Sequence, residues 1–372
     1  DIGNYLYDYN SNVSGQVLIP DKGYNILRYC FSNFLKVDFF TFHIFVALVC
    51  IALIRSTILY TKANENLVIG LFMSYLFFID TIQIRNLIVE SIFIFAARYL
   101  FTDKKFNTLK YIICIFIACL FHKIALIYLI LLVCKLKHRK PLINACFVLS
   151  VAAFLFFMVS RSSLRSLIIL FTRILNLKTT YNFTETRLAF IPVIALYFAE
   201  LFVMAYYRRK IKNSRFSCAE AKYLECIVEV QMLLAISLPL LLLNMNFYRI
   251  VRNILILKYI AYAMILQKIP KKYALWWGLT AFIIVSTTGW FISDYMIINN
   301  FAIIAEPIFT GNLILNNTVN NIKYSVIFKV LLIFVASLLF AVWDKLNSQK
   351  TLLVKESKNE KRRFSDNNYV QP

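Results

Sequence analysis

Long apolar runs separated by short polar turns cover almost all of this 372-residue chain. About 20 apolar residues cross a bilayer as an α-helix, since each residue rises about 1.5 Å through roughly 30 Å of hydrocarbon. The alternating ten-residue segments typical of an outer-membrane barrel are missing from the sequence. The pattern predicts eleven spanning helices, at about 39–59, 67–80, 83–101, 108–121, 124–134, 141–160, 188–207, 225–243, 249–267, 273–293 and 324–343.

The predicted fold class is therefore all-α, a polytopic transmembrane helical bundle with about eleven spans. Residues 1–343 form one transmembrane domain, and residues 344–372 form a basic tail that we expect to be disordered and cytoplasmic. The fourth and fifth spans are short, which fits either a bent hairpin or one long broken helix. The first residue is Asp1 rather than Met, and the topology below predicts one further span upstream of it.

Composition agrees with an integral membrane protein, because 60% of the residues are hydrophobic and 16% are charged, against about 25% charged in soluble domains. The net charge of +22 would suggest nucleic acid in a soluble protein, but most Lys and Arg lie in short loops between apolar runs. We therefore expect no nucleic acid partner. The eight cysteines form no CxxC pair and are interpreted as small core residues, so no metal or cofactor is predicted.

The orientation follows from the basic loops, because short cytoplasmic loops are rich in Lys and Arg. Residues 104–110, 135–140, 208–215 and 268–272 and the C-terminal tail are all basic, and placing them inside agrees with the number of spans. The loops 1–38, 161–187 and 294–323 then lie outside, together with the turns at 80–85, 121–123 and 246–252. The polar residues of the chain thus gather at the extracytoplasmic face.

The outer loop 161–187 breaks the charge rule, since it contains the basic residues Arg161, Arg165, Arg173, Lys178 and Arg187. Apolar residues recur at helical spacing from Leu164 to Leu175, which is typical of a helix lying in the interface. Its arginines either snorkel to lipid phosphates or contact an anionic substrate.

Two similar segments, IRNLI at 84–88 and VRNIL at 251–255, each open a predicted span that enters from outside. Each places an arginine, Arg85 or Arg252, at the positive end of a helix, where an anion also meets free backbone N–H groups. Arg249 lies three residues before Arg252, near the same face. Arginine suits two-pronged contact with phosphate oxygens.

His122 and Lys123 lie in a turn between two apolar runs. His122 is either a structural hydrogen-bonding residue or a general base, since imidazole titrates near neutral pH. Glu200 and Glu229 lie within spans, where carboxylates are costly and face the bundle interior. They keep a proton or ion path, and hence a transporter, as an alternative.

Five segments resemble the EpsG-like family of bacterial polysaccharide polymerases, which share their role with the Wzy-type polymerases. DIGNYLYDYN (Asp1, Tyr5, Tyr9) resembles the family's D-x-x-x-Y-x-x-x-Y segment. PDKGYNIL, with Tyr24, resembles its E-P-G-Y-x-x-L element, although Asp21 and Lys22 stand for Glu-Pro. The other three are QIRNLIVESIFIFA, with Gln83 and Arg85; ACLFHKIAL, with His122; and FYRI, with Arg249.

The resemblance, from Asp1 to about residue 265, implies polymerisation of oligosaccharide repeat units carried on undecaprenyl pyrophosphate. The site would lie at the outer face of the bacterial cytoplasmic (inner) membrane, for capsule, exopolysaccharide or O-antigen synthesis. The catalytic residues we expect are His122 as base and Arg85 and Arg249 on the diphosphate. The substrate-binding residues we expect are Gln83, Asp1, Tyr5, Tyr9, Tyr24, Arg252, Arg173 and Arg187.

The implied enzyme is a metal-independent glycosyltransferase without cofactors, whose partners are the lipid-linked oligosaccharide, membrane lipids, and a chain-length regulator and flippase of the same pathway. Two alternatives stay open. A flippase or transporter of lipid-linked oligosaccharide predicts a continuous polar path at mid-membrane and interrupted helices. A membrane acyltransferase that modifies surface glycan would use a histidine near the membrane.

Overall fold

Every element of the described chain is helical. The computed structural model describes residues 2–10, 21–102, 104–174, 188–210 and 216–294 and the single residues 335 and 339. For residues 2–4 and 171–174 only the backbone is described. The α-helices of these segments are α1 Ile2–Asn10, α2 Lys22–Tyr29, α3 Phe39–Thr61, α4 Glu65–Ser74, α5 Leu76–Ile82, α6 Ile84–Phe101, α7 Asn107–Phe121, α8 Arg139–Val159, α9 Arg161–Ile174, α10 Phe190–Lys210, α11 Cys218–Leu234, α12 Tyr248–Arg252, α13 Leu255–Lys268 and α14 Ala274–Ile292.

Six helical segments of the described residues are long and apolar enough to cross a membrane. They are Phe39–Thr61, Arg139–Val159, Phe190–Lys210, Cys218–Leu242, Met245–Lys268 and Ala274–Ile292. The pair α4 and α5 makes a seventh if it is one span bent by 60°. The predicted count of about eleven is not confirmed, and the last predicted span, 324–343, lies outside the described residues except for two positions.

The fourth and fifth predicted spans form α7 and an unusually long 3-10 helix, Lys123–Lys135. Its buried residues recur at every third position: Ala125, Tyr128, Leu131 and Cys134. A 3-10 helix has three residues per turn, so this spacing places the whole row on one face, whereas an α-helix would spread it. The row packs against α7, because the Tyr111 hydroxyl donates to the carbonyl of Tyr128 at 2.7 Å.

The 3-10 conformation makes this segment longer, end to end, than an α-helix of the same number of residues. At about 2.0 Å per residue, its 13 residues extend roughly 26 Å, close to the thickness of the hydrocarbon core. As an α-helix the same segment would extend only about 20 Å. The hairpin of α7 and the 3-10 helix therefore has nearly the length needed to cross twice, as the orientation of the basic loops requires.

The helix α13 forms the centre of the bundle, and every residue from Leu255 to Leu266 is buried. A helix that is hydrophobic all round belongs in such a position. By contrast α8 has only three buried residues, and it exposes Val148, Leu149 and Phe156 in the manner of a lipid-facing helix.

A buried ion pair joins three spans at the centre of the bundle. Lys258 of α13 donates to Glu200 of α10, whose other oxygen accepts from Ser286 at 2.6 Å and from the indole of Trp290 at 2.8 Å, both in α14. The charged side chains of the pair are fully buried. Every described partner of Glu200 belongs to a neighbouring helix. These contacts therefore explain the carboxylate as a structural link between spans.

The N-terminal helices α1 and α2 form a cap on the beginning of α3. Arg28 of α2 forms a buried ion pair with Asp8 of α1. Tyr9 of α1 stacks on Phe42 of α3 with ring centroids 5.1 Å apart. Asp38 begins α3 as its N-cap, since its side chain accepts from the backbone N–H groups at positions 40 and 41. The cap therefore rests on one end of the first described span.

The basic loops assigned to the cytoplasm meet acidic residues of α11. Arg139 binds Glu229 at 2.8 Å, and Arg208 binds Glu225 at 2.9 Å. Lys268, at the end of α13, binds Glu220 at 3.0 Å. Loops far apart in the chain thus gather at one end of the bundle, as their assignment to one membrane face requires.

Candidate functional site

The structure brings Arg85, His122 and Arg249 together, and we name these residues the Arg–His cluster. Arg85 lies in the first turn of α6, His122 joins α7 to the 3-10 helix, and Arg249 lies in the short helix α12. Burial lowers the pKa of His122, and the positive charges of Arg85 and Arg249 lower it further, to about 4. Three segments separated by large distances in the sequence therefore lie close enough for their charges to interact.

Arg85 is held by the N-terminal cap. Its guanidinium forms an ion pair with Asp21, and its Nε donates to the hydroxyl of Tyr5 at 3.2 Å. The guanidinium carbon lies 5.6 Å from the centre of the Tyr5 ring. The side chain keeps 23% of its surface exposed, so Arg85 is oriented but still accessible to a ligand.

Asp21, which we did not select as a site residue from the sequence, is a member of the site. It comes just before α2, and that helix approaches α7 very closely. A Cβ placed on Gly23 would lie 2.8 Å from the Cβ of Leu120 and 2.9 Å from its carbonyl oxygen. Glycine is thus required for this approach, which carries Asp21 to Arg85. The signal was present in the sequence, since Asp21 occupies the acidic position of the segment that resembles E-P-G-Y.

Arg249 is the incompletely paired cation of the cluster. Its only described hydrogen bond is a long one, 3.4 Å from Nη2 to the side-chain oxygen of Asn246. Its Nε is buried and has no hydrogen-bond partner among the described residues. A buried guanidinium donor without an acceptor is costly, so this arrangement favours binding of an anion from outside the chain.

Arg252, by contrast, is fully buried in a network of its own. Its Nη2 donates to Asp80 at 2.7 Å and to the amide oxygen of Gln83 at 3.0 Å. Its Nη1 donates to the hydroxyl of Tyr248 at 2.5 Å and to Asp294 at 3.1 Å. We had expected Arg252 and Gln83 to bind substrate, but these contacts favour a supporting position, and substrate binding by either stays a prediction.

The two similar segments found in the sequence meet in the structure. The side-chain amide of Asn86, next to Arg85, donates to Asn253 at 3.1 Å. Asn253, next to Arg252, donates back to Asn86 at 3.2 Å. This reciprocal pair joins the beginning of α6 to the segment between α12 and α13. It holds the Arg252 network close to the backbone that carries Arg85.

The three tyrosines predicted to bind substrate lie mostly in the packing of the cap. Tyr5 faces Arg85, while its ring also lies 5.6 Å from that of Tyr24. Tyr24 is completely buried, and Tyr9 donates to the carbonyl of Val37 at 2.6 Å. Tyr5 is therefore the tyrosine placed to meet a ligand of Arg85.

Other predicted site residues lie outside the described part of the chain. These are Asp1 and Arg187, together with the side chain of Arg173. The helix predicted around Arg173 is confirmed as α9, whose Leu167 and Leu170 are exposed.

His122 has a defined ring orientation. Its Nδ1 accepts a hydrogen bond from the backbone N–H of Ile124 at 3.2 Å. A neutral imidazole that accepts at Nδ1 carries its proton on Nε2. With a pKa near 4, the ring is neutral at physiological pH, so Nε2 presents an N–H donor to the cluster.

One group of residues has the composition of a metal site, at the end of the bundle that carries the basic loops. The ligand atoms of Cys134, Cys226 and Glu229 lie within 4.8 Å of one another and are buried. The carboxylate of Glu229, however, accepts from Arg139 at both oxygens, at 2.9 and 2.8 Å. A guanidinium in that position repels a cation, so the carboxylate is better explained by its ion pair.

A described cavity of about 480 Å³ also lies at this end, and its lining includes Lys62, Thr102 and Lys268. It has no lining residue in common with the Arg–His cluster. The chemistry of the cluster therefore does not involve this cavity.

Six candidate spans in an all-helical arrangement of the described residues define a polytopic membrane protein, and arginines gather at one end of its bundle. Residues 1–304 match the family model for EpsG, and the chain belongs to the EpsG family. Membership indicates a glycosyltransferase-like polymerase of polysaccharide biosynthesis. Comparisons with curated proteins and with solved structures found no match.

Proposed function

We propose that this protein joins oligosaccharide repeat units carried on undecaprenyl pyrophosphate, at the outer face of the bacterial cytoplasmic membrane. The observation that carries the proposal is the convergence of Arg85 and Arg249 on His122, with the buried Nε of Arg249 unpaired among the described residues. Such a site suits a doubly charged phosphate group better than a neutral sugar. The polymer would be capsule, exopolysaccharide or O-antigen.

The chemistry of transfer fits these residues. The growing glycan leaves its carrier at the anomeric carbon, and the bond that breaks places negative charge on the diphosphate. Two guanidinium groups and the Nε2–H of His122 are hydrogen-bond donors suited to that charge. The reaction as we propose it is independent of metal and uses no cofactor.

The outer position of the site rests on the basic loops. His122 and Lys135 lie at opposite ends of the 3-10 helix, roughly 26 Å apart by its rise per residue. Lys135 and Arg139 belong to a basic loop of the kind that stays in the cytoplasm. The Arg–His cluster is then at the extracytoplasmic end, where repeat units arrive after transport across the membrane.

Deletion of the gene in its host tests the function directly. We expect single repeat units on the lipid carrier at the outer surface, with no ladder of longer chains by gel analysis of surface glycan. Re-expression of the full chain should restore the ladder. Accumulation of repeat units on the inner side would instead show a flippase.

The acyltransferase alternative gives a different result in the same strain. Chains of normal length that lack an acyl group would favour it over polymerisation. A purified protein in lipid nanodiscs that lengthens lipid-linked repeats without an acyl donor would exclude it. The polymerase, flippase and acyltransferase therefore each predict a distinct glycan.

A further inference from the structure

Glycan transfer needs a group that takes the proton of the attacking hydroxyl, and the ring geometry of His122 does not suit it. The lone pair of Nδ1 points to the N–H of Ile124, and Nε2 already carries a proton. A neutral ring held this way donates a hydrogen bond and has no free lone pair to accept a proton. The proton acceptor is therefore to be sought among the carboxylates near the Arg–His cluster.

Most carboxylates near the Arg–His cluster are buried and interact with other side chains. Asp80 and Asp294 both bind Arg252, and their side chains are completely buried. Glu90 is also completely buried and interacts with the neighbouring carboxyl group of Asp80. A hydroxyl of a sugar that enters from the aqueous side cannot reach these groups without opening the helix packing.

Asp21 is placed differently. It lies on the N-terminal cap, outside the spans, and keeps 8% of its surface exposed. Its Oδ2 contacts Arg85, which leaves Oδ1 for a second hydrogen bond. Lys123, next to His122, also acts on it electrostatically, so a second positive charge lies near Asp21.

We propose that Asp21 is the catalytic base of this polymerase, and that His122 acts instead as a hydrogen-bond donor to the diphosphate. The inference rests on the proposed function, since it names the proton acceptor of that reaction. It differs from the sequence prediction, in which His122 was the base.

Binding of substrate and activation of the base are coupled in this arrangement. Arg85 is the described ion-pair partner of Asp21, and a diphosphate competes with Asp21 for the same guanidinium. Burial raises the pKa of Asp21, while Arg85 and Lys123 oppose that rise. When Arg85 turns to the diphosphate, Asp21 loses a compensating positive charge and becomes a stronger base.

In the proposed step, each bond that forms is matched by a bond that breaks. The acceptor hydroxyl gives its proton to an oxygen of Asp21, and the hydroxyl oxygen forms a bond to the anomeric carbon of the donor glycan. The bond from that carbon to the diphosphate oxygen breaks, and its electron pair stays on the undecaprenyl diphosphate. The proton then passes from Asp21 to solvent.

The test uses the purified full chain in lipid nanodiscs and lipid-linked repeat units extracted from the deletion strain. Asp21→Asn keeps the size of the side chain and its acceptor oxygen but cannot take a proton. We expect a loss of polymerisation of about 100-fold or more, the usual range for removal of a general base. Binding of the lipid-linked repeat should change by no more than about threefold, because Arg85 and Arg249 are retained.

Matched variants test whether the carboxylate of Asp21 itself is needed for activity. Asp38→Asn is the control, because Asp38 is an exposed N-cap of the adjacent helix and asparagine caps equally well. It should retain wild-type activity. Asp21→Glu should keep about a tenth or more of the activity, whereas Asp21→Gln, of the same length, should lose it.

The activities of two His122 variants distinguish a hydrogen-bond donor from a base. Glutamine offers an N–H donor, so His122→Gln should retain clearly more activity than His122→Ala. If His122→Gln is inactive while Asp21→Asn retains more than about a tenth of the wild-type rate, His122 is the base and our assignment is wrong.

The recovery and thermal unfolding of each variant show whether it has folded. If Asp21→Asn does not fold, the comparison of Asp21→Glu with Asp21→Gln decides, and equal activity of those two would overturn the inference. If the wild-type protein forms no polymer from lipid-linked repeats, the proposed function itself fails. The two failures are therefore distinct.

Discussion

Arg249 and Arg252 are three residues apart, yet their surroundings assign them different work. The guanidinium of Arg252 is fully buried and bound to two carboxylates, whereas Arg249 is only half-buried and has a single long hydrogen bond among the described residues. An inaccessible guanidinium bound to two carboxylates supports its neighbours, whereas one with no carboxylate partner among the described residues is available to a ligand. The residue type alone does not separate these roles.

Replacement of the accessible arginines should abolish polymerisation without affecting folding. For Arg85→Ala and Arg249→Ala we expect losses of about 100- to 1000-fold, the range found when a donor to developing negative charge is removed. Lysine at either position should give intermediate activity, because it keeps the charge but not the planar fork. Surface glycan ladders and membrane abundance are the measurements.

Arg55→Ala is the matched control for both variants, since Arg55 is an exposed residue of α3 that pairs with Glu65. It should leave the ladder unchanged. Normal ladders for Arg85→Ala and Arg249→Ala would remove the diphosphate site.

The low pKa of His122 predicts a loss of stability in mild acid. The unfolded chain takes up a proton near pH 6.5, but the folded chain does so only near pH 4. Stability is therefore lost as pH falls from 6.5 to 4, by at most about 3 kcal/mol. His122→Asn should lose less over this range, as measured by thermal unfolding in detergent, and equal pH dependence of the two proteins would contradict the assignment.

The elements of the bundle were largely predictable, but their breaks were not. Hydropathy located most helices from residue 39 to residue 292 within a few residues, because membrane burial requires continuous apolar runs, but α11 begins at Cys218 and not at the predicted position 225. The bend of 60° after Ser74 has no proline or glycine to mark it. At the bend the hydroxyl of Tyr75 donates to Asp294 at 2.6 Å, and Asp294 lies more than 200 positions away along the chain. Sequence spacing cannot reveal such a contact.

The same limit explains which site residues we predicted. Arg85, His122 and Arg249 each lie in a polar turn between apolar runs, so each is conspicuous in the sequence. Asp21 was overlooked as a site residue because its importance depends on its partner, Arg85, which is 64 positions away. Pairings of this kind become visible only when the helices are packed.

The contact of α2 with α7 should be intolerant of any side chain at Gly23. Alanine there would bring its Cβ within 3 Å of the backbone carbonyl of Leu120, which cannot rotate away. The helix α2 must then shift and take Asp21 from Arg85. We expect Gly23→Ala to reduce polymerisation by at least about tenfold, since small misplacements of catalytic groups cost that much or more.

Gly278→Ala is the matched control, because its new Cβ would meet only the hydroxyl of Tyr207, at 3.3 Å. Both variants are to be compared by polymerisation rate and thermal unfolding. A fully active Gly23→Ala protein would show that the position of Asp21 is not critical.

Two groups of charged residues lie at opposite ends of the described bundle. One end has Arg139, Arg208 and Lys268 bound to the acidic residues of α11, and the other has the Arg–His cluster, in which the buried Nε of Arg249 has no partner among the described residues. The positive-inside rule assigns the paired end to the cytoplasm. The orientation of the molecule is thus part of the functional proposal.

Two native cysteines test the orientation. Cys30, near the N-terminal cap, and Cys218, at the beginning of α11, are both exposed. A membrane-impermeant maleimide should label Cys30 in intact cells and Cys218 only after permeabilisation. Cys30→Ser and Cys218→Ser identify the two signals, and labelling of Cys218 in intact cells would reverse the topology.

The three-residue repeat of the 3-10 helix also fixes the number of residues in that segment. Each added residue would rotate the preceding side chains by about 120° relative to the following ones. One alanine inserted after Leu129 would thus carry Ala125 and Tyr128 off the face that Leu131 and Cys134 occupy. His122, at the outer end, would turn with them. Natural variation in loop length should therefore stop at both ends of this segment, and its thirteen residues should be fixed in number.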